Sequence, residues 1–493
     1  MERVYFVKNE HNELVPCPEP EDGIFNKRLW KYGKRIADFV GRKHPVSYQT
    51  FLSYYTGPKL TLYQKAVDSL QDQSVCERDA RLKTFVKAEK LNVTLKADPV
   101  PRVIQPRSPR YNVELGRYLR PVEHDIYRAI DDLWGGPTIM KGYSVEKMGY
   151  HIQNAFTEFN DPVAIGFDAS RFDQHVSVEA LKYEHKIYNR IYSYPWLLGQ
   201  LLRWQIHNKG TAFASDGAFN YTVDGKRMSG DMNTSLGNCV LACLITKDLV
   251  DTLGIKARLI NNGDDNVLIC SVVDRGEVEK TLYSHWLRYG FEVVCEPPVY
   301  VLEQLNFCQM NPVFDGVQYV MVRNPTTTMS KDAYSITPFN NVKAAKMWAR
   351  AVGECGLSIT GGIPIVQEYY HNWVRNGIET GKIKNSKDFD SGLLHLSKLS
   401  SRKYSPVCED ARYSFYLAFG YTPDEQVEME NYYRQHIPLW EWSNTGNLAK
   451  SPECLLLQTI PTPPSLTITT TGTPTRVTAR PRETILPIHS DPN

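Results

Sequence analysis

The sequence predicts a mixed α+β fold, and three observations lead to that prediction. An apolar run at residues 163–167 ends at Asp168 and is followed by helical spacing, as expected for a buried strand leading into a helix. Residues 233–253 are mostly apolar and have the length of a buried helix. Two short apolar runs, 259–260 and 267–270, flank a polar, acidic segment and predict a β-hairpin.

Composition indicates a globular protein with more than one core. The chain has 493 residues, 42% of them hydrophobic, so we expect two to four domains or one multi-lobed enzyme. Its 57 basic and 55 acidic residues nearly cancel, so a nucleic-acid surface must come from local charge. The ten cysteines include no CxxC pair, which predicts buried, reduced thiols in a cytosolic compartment. No window reaches the roughly 20 apolar residues of a spanning helix. Membrane attachment through a partner or an upstream segment stays open.

Residues 81–120 are strongly basic. Ten lysines and arginines stand there against three acidic residues, an excess that predicts a phosphate-binding surface. Four prolines interrupt any simple helical face in this segment. A solvated charged surface without a ligand is the alternative interpretation.

Paired carboxylates predict a metal-dependent chemistry. Nucleotidyl transfer uses two divalent metals about 4 Å apart, which need carboxylates from separate strand ends. Asp168 and the pair Asp264-Asp265 fit this demand. A Gly-Asp-Asp triplet alone arises by chance in roughly one chain in ten. The spacing Ser229-Gly230-x3-Thr234-x3-Asn238 is rarer, on the order of one chain in a hundred, and the ordered combination is informative.

These segments resemble the palm motifs A, B and C of viral RNA-dependent RNA polymerases: GFDASRFDQHVS, MSGDMNTSLGNC and LINNGDDNVLIC. FVKAEK and the stretch after it resemble the basic fingers motif F of the tombusvirus-like (Tombusviridae) plant virus polymerases. LNFCQMNPV resembles their motif E. The resemblance is strong over residues 81–313 and loose elsewhere.

The resemblance implies a role for each matching residue. Asp168 and Asp264 would be the principal ligands of Mg²⁺, or of Mn²⁺ as a substitute, with Asp265 assisting. The triphosphate of the incoming nucleotide would be bound by three basic residues of motif F: Lys87, Lys90 and Arg102.

Sugar selection would depend on motifs A and B. Asp173 and Asn238 would read the ribose 2′ hydroxyl, which both donates and accepts hydrogen bonds. Ser229 and Thr234 would support that network. Gly230 would allow the loop before the motif B helix to move near the template.

The implied architecture is a right hand with an antiparallel palm sheet flanked by helices. Residues 1–160 would form the amino-terminal region and the fingers, including motif F at 81–120. The palm would comprise 161–191 and 228–313, interrupted by a fingers insertion at 192–227. Residues 314–457 would form the thumb. The Thr- and Pro-rich segment 458–493 is expected to be a disordered tail.

One feature departs from the family pattern. Motif D often supplies a lysine as general acid for pyrophosphate, but no lysine follows Lys280 in LRYGFEVVCEPP. Arg288 or water could serve instead, and the sequence does not choose between them. His175 beside motif A is expected to be structural, and Cys239 and Cys243 are expected to be core residues.

Other functions are possible from these residues. A reverse transcriptase or DNA polymerase would share the carboxylates, but the former has an aromatic and a variable residue where this chain has Asn262-Gly263. A catalytically silent RNA-binding subunit of a replication complex would need only the basic segment. A capsid or movement protein needs no carboxylate hairpin.

The resemblance also implies a biological setting. Expected partners are an RNA template and product, ribonucleoside triphosphates, a membrane-anchored viral auxiliary replication protein and host factors. The expected location is the host cytoplasm, at membrane-associated replication complexes. Polymerases of this family are usually readthrough extensions of a smaller replication protein, so the chain could be part of a longer product.

Overall fold

The described residues form two four-stranded sheets, three two-stranded sheets and a large set of helices, which confirms the predicted α+β class. A computed structural model describes residues 4–11, 13–87, 100–214, 217–335, 339, 341–379, 391–443 and 453–457. The strands are β1 (Phe6–Lys8), β2 (Leu14–Pro16), β3 (Leu82–Val86), β4 (Val103–Ile104), β5 (Pro162–Ala169), β6 (His207–Ala214), β7 (Gly217–Asp224), β8 (Ala257–Asn262), β9 (Asp265–Ser271), β10 (Val293–Cys295), β11 (Met310–Phe314), β12 (Tyr319–Arg323), β13 (Leu439–Ser443) and β14 (Glu453–Leu457).

The α-helices fall between and after these strands. They are α1 (Trp30–Val40), α2 (Tyr48–Ser53), α3 (Gly57–Asp72), α4 (Pro109–Leu119), α5 (Glu123–Trp134), α6 (Val145–Thr157), α7 (Phe172–His175), α8 (Val178–Ile191), α9 (Trp196–Arg203), α10 (Thr234–Leu253), α11 (Arg275–Leu287), α12 (Pro325–Asp332), α13 (Val342–Thr360), α14 (Val366–Asn376), α15 (Ser391–Leu399), α16 (Glu409–Phe419) and α17 (Pro423–Gln435).

The first sheet has the order β10-β5-β9-β8 and is antiparallel throughout. Successive side chains of a strand point to opposite faces, so β5 contributes to two cores. Val163 and Ile165 pack on one side, in the core that contains α10. Ala164 packs on the other side, in the core that contains α6 and β12. Burial on both faces explains the continuous apolar run that the sequence shows here.

Helix α10 crosses behind this sheet and is buried on nearly all sides. Residues Leu236 to Ile245 are buried without interruption, as expected for a helix enclosed by other elements. The helix ends at Gly254, whose left-handed backbone (φ 66°, ψ 25°) forms the predicted glycine cap. Cys239 and Cys243 are fully buried in its core, as the sequence predicted.

The second sheet has the order β4-β3-β6-β7. Strand β3 pairs parallel to β6, which lies more than 120 residues later in the chain. The β6–β7 hairpin therefore returns from the segment between the first sheet's β5 and α10 to join the basic segment that contains β3 and β4. No local pattern in the sequence could reveal this long-range parallel pairing.

Several features differ from the sequence predictions. The amino-terminal stretch before residue 73 shows little periodicity, yet it forms α1, α2 and α3, which are stabilised by packing against α5, α8 and α4. Cys76, Cys295 and Cys408 are exposed, so the expectation that the thiols are all buried was wrong, although the nine cysteines described are free.

The carboxyl-terminal third is rich in helices, from α12 to α17. The described residues lie within one compact unit that spans residues 1–458. The predicted disordered tail at 458–493 lies outside the described residues. No helix in the described ranges is both long and apolar enough to cross a membrane.

A buried ion pair links α8 to the segment before α10. The guanidinium of Arg227 pairs with the carboxylate of Glu184, and both side chains are at most 1% exposed. Asn233 also donates to Glu184 (Nδ2–Oε1 2.7 Å). The pair lies directly over Gly237, where a Cβ atom would overlap both charged groups. A glycine inside this helix is therefore required by packing and not by backbone conformation.

We predict that Gly237→Ala lowers the free energy of unfolding by about 1–3 kcal/mol, because the added methyl group must displace a buried ion pair. Urea unfolding monitored by circular dichroism measures the change. Gly276→Ala is the matched control, since this exposed helical glycine has no atom within 4 Å of the Cβ position. It should be neutral or stabilise by up to about 1 kcal/mol. Equal effects of the two substitutions would contradict the packing role of Gly237.

Candidate functional site

The predicted metal-binding carboxylates meet at one end of the antiparallel sheet. The pairing of β5 with β9 places Asp168 directly opposite Asp265. Directly opposed residues in antiparallel strands point to the same face, with Cβ atoms roughly 4.5–5.5 Å apart. Asp264 precedes β9, at the tip of the β8–β9 hairpin. The hairpin loop is shorter than the sequence suggested, because Asp265 already belongs to the strand.

Two asparagines determine the conformation of this turn. The backbone of Gly263 is left-handed (φ 87°), which favours glycine. Asn261 accepts from the Gly263 amide (3.0 Å) and donates to the Gly263 carbonyl (2.8 Å). Asn266 donates to the carbonyl of Asp264 (2.8 Å). Asn261 and Asn266 are also hydrogen-bonded to each other (2.8 Å) and buried, so the turn that presents Asp264 is held from inside the protein.

The site concentrates negative charge. Burial raises the pKa of Asp265, and the neighbouring Asp264 raises it further. Glu296 has a raised pKa as well, because of burial and then the charges of Asp265 and Asp168. Crowded carboxylates of this kind are stabilised by a bound cation. Within the described ranges, no three or more His, Cys, Asp or Glu side chains converge on one metal position, so substrate and water oxygens would have to complete the ligand set of an ion here.

Glu296 is a site residue that the sequence analysis missed. Its amide donates to the carbonyl of Gly166 (2.8 Å), and its carboxylate lies where a Cβ of residue 166 would be. The glycine two positions before Asp168 therefore makes room for a further carboxylate on the face that carries Asp168. A glycine inside an apolar strand was the available signal, since it often marks a close approach.

The residues predicted to read the ribose form one hydrogen-bonded network. Asn238 donates to one carboxylate oxygen of Asp173 (Nδ2–Oδ1 2.8 Å), and Ser229 donates to the other (Oγ–Oδ2 2.7 Å). Burial raises the pKa of Asp173, while these two hydrogen bonds act to lower it. Arg227 donates to the side-chain oxygen of Asn238 (Nε–Oδ1 3.1 Å). Asn238 is therefore oriented with its NH₂ group towards Asp173.

Thr234 plays a different part from its neighbours. Its hydroxyl donates to the carbonyl of Met228 (2.7 Å) and lies 3.1 Å from that of Asp231. It fixes the loop before α10 and forms no hydrogen bond to Asp173 or Asn238. Gly230, in the same loop, has φ 133° and lies against Pro106, where a Cβ would be only 3.1 Å from the Pro106 Cα.

Four arginines of the basic segment are paired with acidic side chains. Arg107 is buried and bonds Asp231 (Nε–Oδ1 2.6 Å), and Arg110 pairs with Asp79. Arg117 and Arg120 pair with glutamates one helical turn away. For these four arginines, the electrostatic prediction was wrong, because their charges are neutralised within the fold.

Two of the predicted triphosphate contacts flank the β3–β4 pair, Lys87 directly after β3 and Arg102 directly before β4. Lys87 and Arg102 are exposed, and the Lys87 amide donates to the Arg102 carbonyl (2.9 Å). Gln105 directly follows β4, and its amide donates to the carbonyl of Ser229 (2.8 Å). The chain that carries Arg102 is thereby attached beside the Asp173 network. Lys90 lies outside the described residues.

Arg288 and His175 each contact an acidic side chain. Arg288, one of the open choices for a general acid, pairs with both carboxylate oxygens of Glu21 (2.8 and 2.9 Å). His175 lies 3.0 Å from a carboxylate oxygen of Glu292 and 3.3 Å from the carbonyl of Arg171. These contacts agree with a structural role for His175.

Comparison with known proteins identifies the family of this chain. The model of the family described as "Viral RNA dependent RNA polymerase" matches residues 1–441. The chain belongs to this family. It is 68% identical over 465 residues to the RNA-directed RNA polymerase of Maize chlorotic mottle virus, covering 94% of this chain and 48% of the relative. For Panicum mosaic virus the identity is 62% over 471 residues, covering 93% and 47%.

A more distant relative of the same family is the RNA-directed RNA polymerase of Turnip crinkle virus. It is 51% identical over 466 residues, covering 94% of this chain and 60% of the relative. The resemblance to tombusvirus-like plant virus polymerases is thereby confirmed. The chain spans about half the length of the first two relatives, so it corresponds to only part of those proteins.

Proposed function

We propose that this chain carries the RNA-directed RNA polymerase activity that replicates the genome of a positive-strand RNA plant virus. The observation that carries the proposal is the alignment of Asp168 opposite Asp265, at the same end of the sheet as Asp264. Burial of Asp265 beside Asp264 favours a cation between these groups. A catalytically silent RNA-binding subunit would have no use for carboxylates held in this register.

The donor set suits Mg²⁺, with Mn²⁺ as a substitute. Magnesium prefers oxygen ligands and is usually held by one or two carboxylates, with substrate phosphates and water completing the shell. Asp168 and Asp264, with Asp265 assisting, would supply those carboxylates. Bound there, the ions would make the 3′ hydroxyl more acidic and neutralise the triphosphate.

In the proposed reaction, the 3′ hydroxyl oxygen of the growing RNA attacks the α-phosphorus of a ribonucleoside triphosphate. The bond between the α-phosphorus and the bridging oxygen to the β-phosphorus breaks, pyrophosphate leaves with that oxygen, and the hydroxyl proton passes to water. Lys87 and Arg102, together with Lys90, would bind the triphosphate and stabilise the charge that develops on the leaving group. Their attachment beside the Asp173 network supports this role.

Asp173 and Asn238 are proposed to select ribonucleotides. The Asp173 carboxylate accepts hydrogen bonds from Asn238 and Ser229, and the network is oriented by the buried Arg227. A 2′ hydroxyl could join such a network as both donor and acceptor, whereas a deoxyribose would leave polar groups unpaired.

The right-hand architecture is proposed on the same grounds. The β10-β5-β9-β8 sheet with α10 and α11 would be the palm, over residues 161–191 and 228–313. The β4-β3-β6-β7 sheet would belong to the fingers, which agrees with the return of residues 192–227 to the segment at 81–120. The helical residues 314–457 would be the thumb. A membrane-anchored viral protein and host factors are the proposed partners, at replication complexes in the host cytoplasm.

Template-dependent RNA synthesis tests the proposal. Purified protein with Mg²⁺, an RNA template and labelled ribonucleotides should yield a product complementary to the template. We expect Asp264→Ala to reduce the rate by roughly a hundredfold or more, because it removes charge stabilisation at the reacting centre. The matched control is Asp72→Ala at the exposed end of α3, which should retain wild-type activity. Wild-type protein that binds RNA without synthesising it would support the silent-subunit alternative.

Sugar discrimination is tested with Asp173→Ala and Asn238→Asp. Both changes disrupt the network, so we expect the ratio of kcat/KM for ribonucleotides over deoxyribonucleotides to fall by roughly tenfold or more, the effect of losing about one hydrogen bond to a buried polar group. Steady-state kinetics with GTP and dGTP on one template measure the ratio. An unchanged ratio with reduced overall activity would contradict the ribose-reading role.

A further inference from the structure

A lysine outside the predicted motifs lies beside the Gly263-Asp264 turn. Lys141 belongs to the connection between α5 and α6. This connection is attached to the edge of the sheet at β8: Asn261 donates its amide to the carbonyl of Thr138 (2.8 Å), and Met140 donates to the carbonyl of Asn261 (2.9 Å). The Asp131 carboxylate accepts from the Thr138 amide (2.8 Å) and holds the base of the connection.

Asn261 is hydrogen-bonded both to the connection that carries Lys141 and to the Gly263-Asp264 turn. The Asn261 side chain forms hydrogen bonds with both the amide and the carbonyl of Gly263. Its backbone forms hydrogen bonds with Thr138 and Met140 in the connection. The Lys141 Nζ lies 3.9 Å from the position of a Cβ on Gly263, and the Asn238 Cβ lies at an equal distance. The ammonium is therefore held at the turn that presents Asp264, on the side of the ribose network.

The charge of this ammonium is not neutralised by a carboxylate. In the part of the chain that the structure describes, no Asp or Glu oxygen lies within 4.0 Å of the Lys141 Nζ. The side chain is half-buried. Burial raises the pKa of the Cys239 thiol to about 11, and the Lys141 charge opposes that rise. The Lys141 charge also acts to lower the pKa of the Cys308 thiol, which burial raises.

A half-buried cation that forms no ion pair with the described residues fits an anionic ligand. Phosphate is the anion of the proposed reaction, either in the RNA strand or in the nucleotide. Lys87 and Arg102 lie on the chain attached to Ser229, near the Asp173 network that follows β5. Lys141 belongs to a different segment, which is attached to the outer strand β8 through Ile139. Lys87 and Arg102 are proposed to bind the triphosphate. Lys141 is therefore available to bind the RNA strand that carries the 3′ hydroxyl.

Resting on the proposed polymerase function, we propose that Lys141 binds a backbone phosphate of the growing RNA strand next to its 3′ end. Asn261 is hydrogen-bonded to both the connection that carries Lys141 and the Asp264 turn. The phosphate contact therefore fixes the terminal nucleotide relative to that turn. Lys141 is thus a substrate-binding residue for the strand, separate from the residues that bind the incoming nucleotide.

The test measures the affinity of the full chain for a primer–template RNA duplex as a function of salt. Removing one phosphate contact should raise the Kd several-fold and reduce the slope of log Kd against log salt by roughly 0.7–0.9. Lys141→Met and Lys141→Gln should both show this change, and Lys141→Arg should retain the wild-type slope. The control Lys65→Ala, at an exposed position of α3, should match wild type. The KM for ribonucleotides should not change.

A wild-type salt slope in folded Lys141→Met and Lys141→Gln would overturn the proposal. A rise confined to the nucleotide KM would also overturn it, since that result assigns the lysine to the triphosphate. Thermal unfolding of each variant establishes that it is folded. If the wild-type protein binds the duplex but makes no templated product, the polymerase function fails, and the salt slope still decides the Lys141 contact.

Discussion

The register between β5 and β9 is the constraint on which the rest of the site depends. It brings Asp168 opposite Asp265 although they are almost 100 residues apart in the chain. A shift of one residue would turn one of these carboxylates to the opposite face of the sheet. Such a shift is prevented because both faces are packed: Val163 and Leu268 lie in one core, and Ala164 in the other. The hydrophobic cores therefore determine where the charges meet.

A second constraint, the buried pair of Arg227 with Glu184, connects the sheet to the ribose network. Taking two charges out of water is unfavourable, and a pair of this kind is tolerated only when further hydrogen bonds satisfy it. Here Asn233 bonds Glu184, and Arg227 bonds Asn238. The pair orients the amide that faces Asp173 and requires Gly237 beneath it. Breaking the pair would thus affect folding and sugar selection together.

Local patterns in the sequence predicted the elements that a single segment determines. Helix α10 with its glycine cap, strand β5 and the β8–β9 hairpin were all foreseen, because periodicity and capping residues are local signals. The parallel pairing of β3 with β6 was not foreseen, nor was the position of Glu296 over Gly166. Both depend on contacts between distant segments, as does the neutralisation of Arg107 by Asp231. The sequence therefore identified which residues belong to the site, whereas the contacts between them depend on the pairing of distant segments.

We propose that Asp168, in β5, and Asp264, in the turn before β9, bind the same metal ions. Replacing Mg²⁺ with Fe²⁺ and generating hydroxyl radicals cleaves the backbone close to the ion, and mass spectrometry of the fragments locates the cuts. We expect cleavage near residues 168 and 264 together, suppressed by excess Mg²⁺ and absent in the double variant Asp168→Asn/Asp264→Asn. Cleavage at only one of these segments, or cleavage that persists in the double variant, would contradict a shared site.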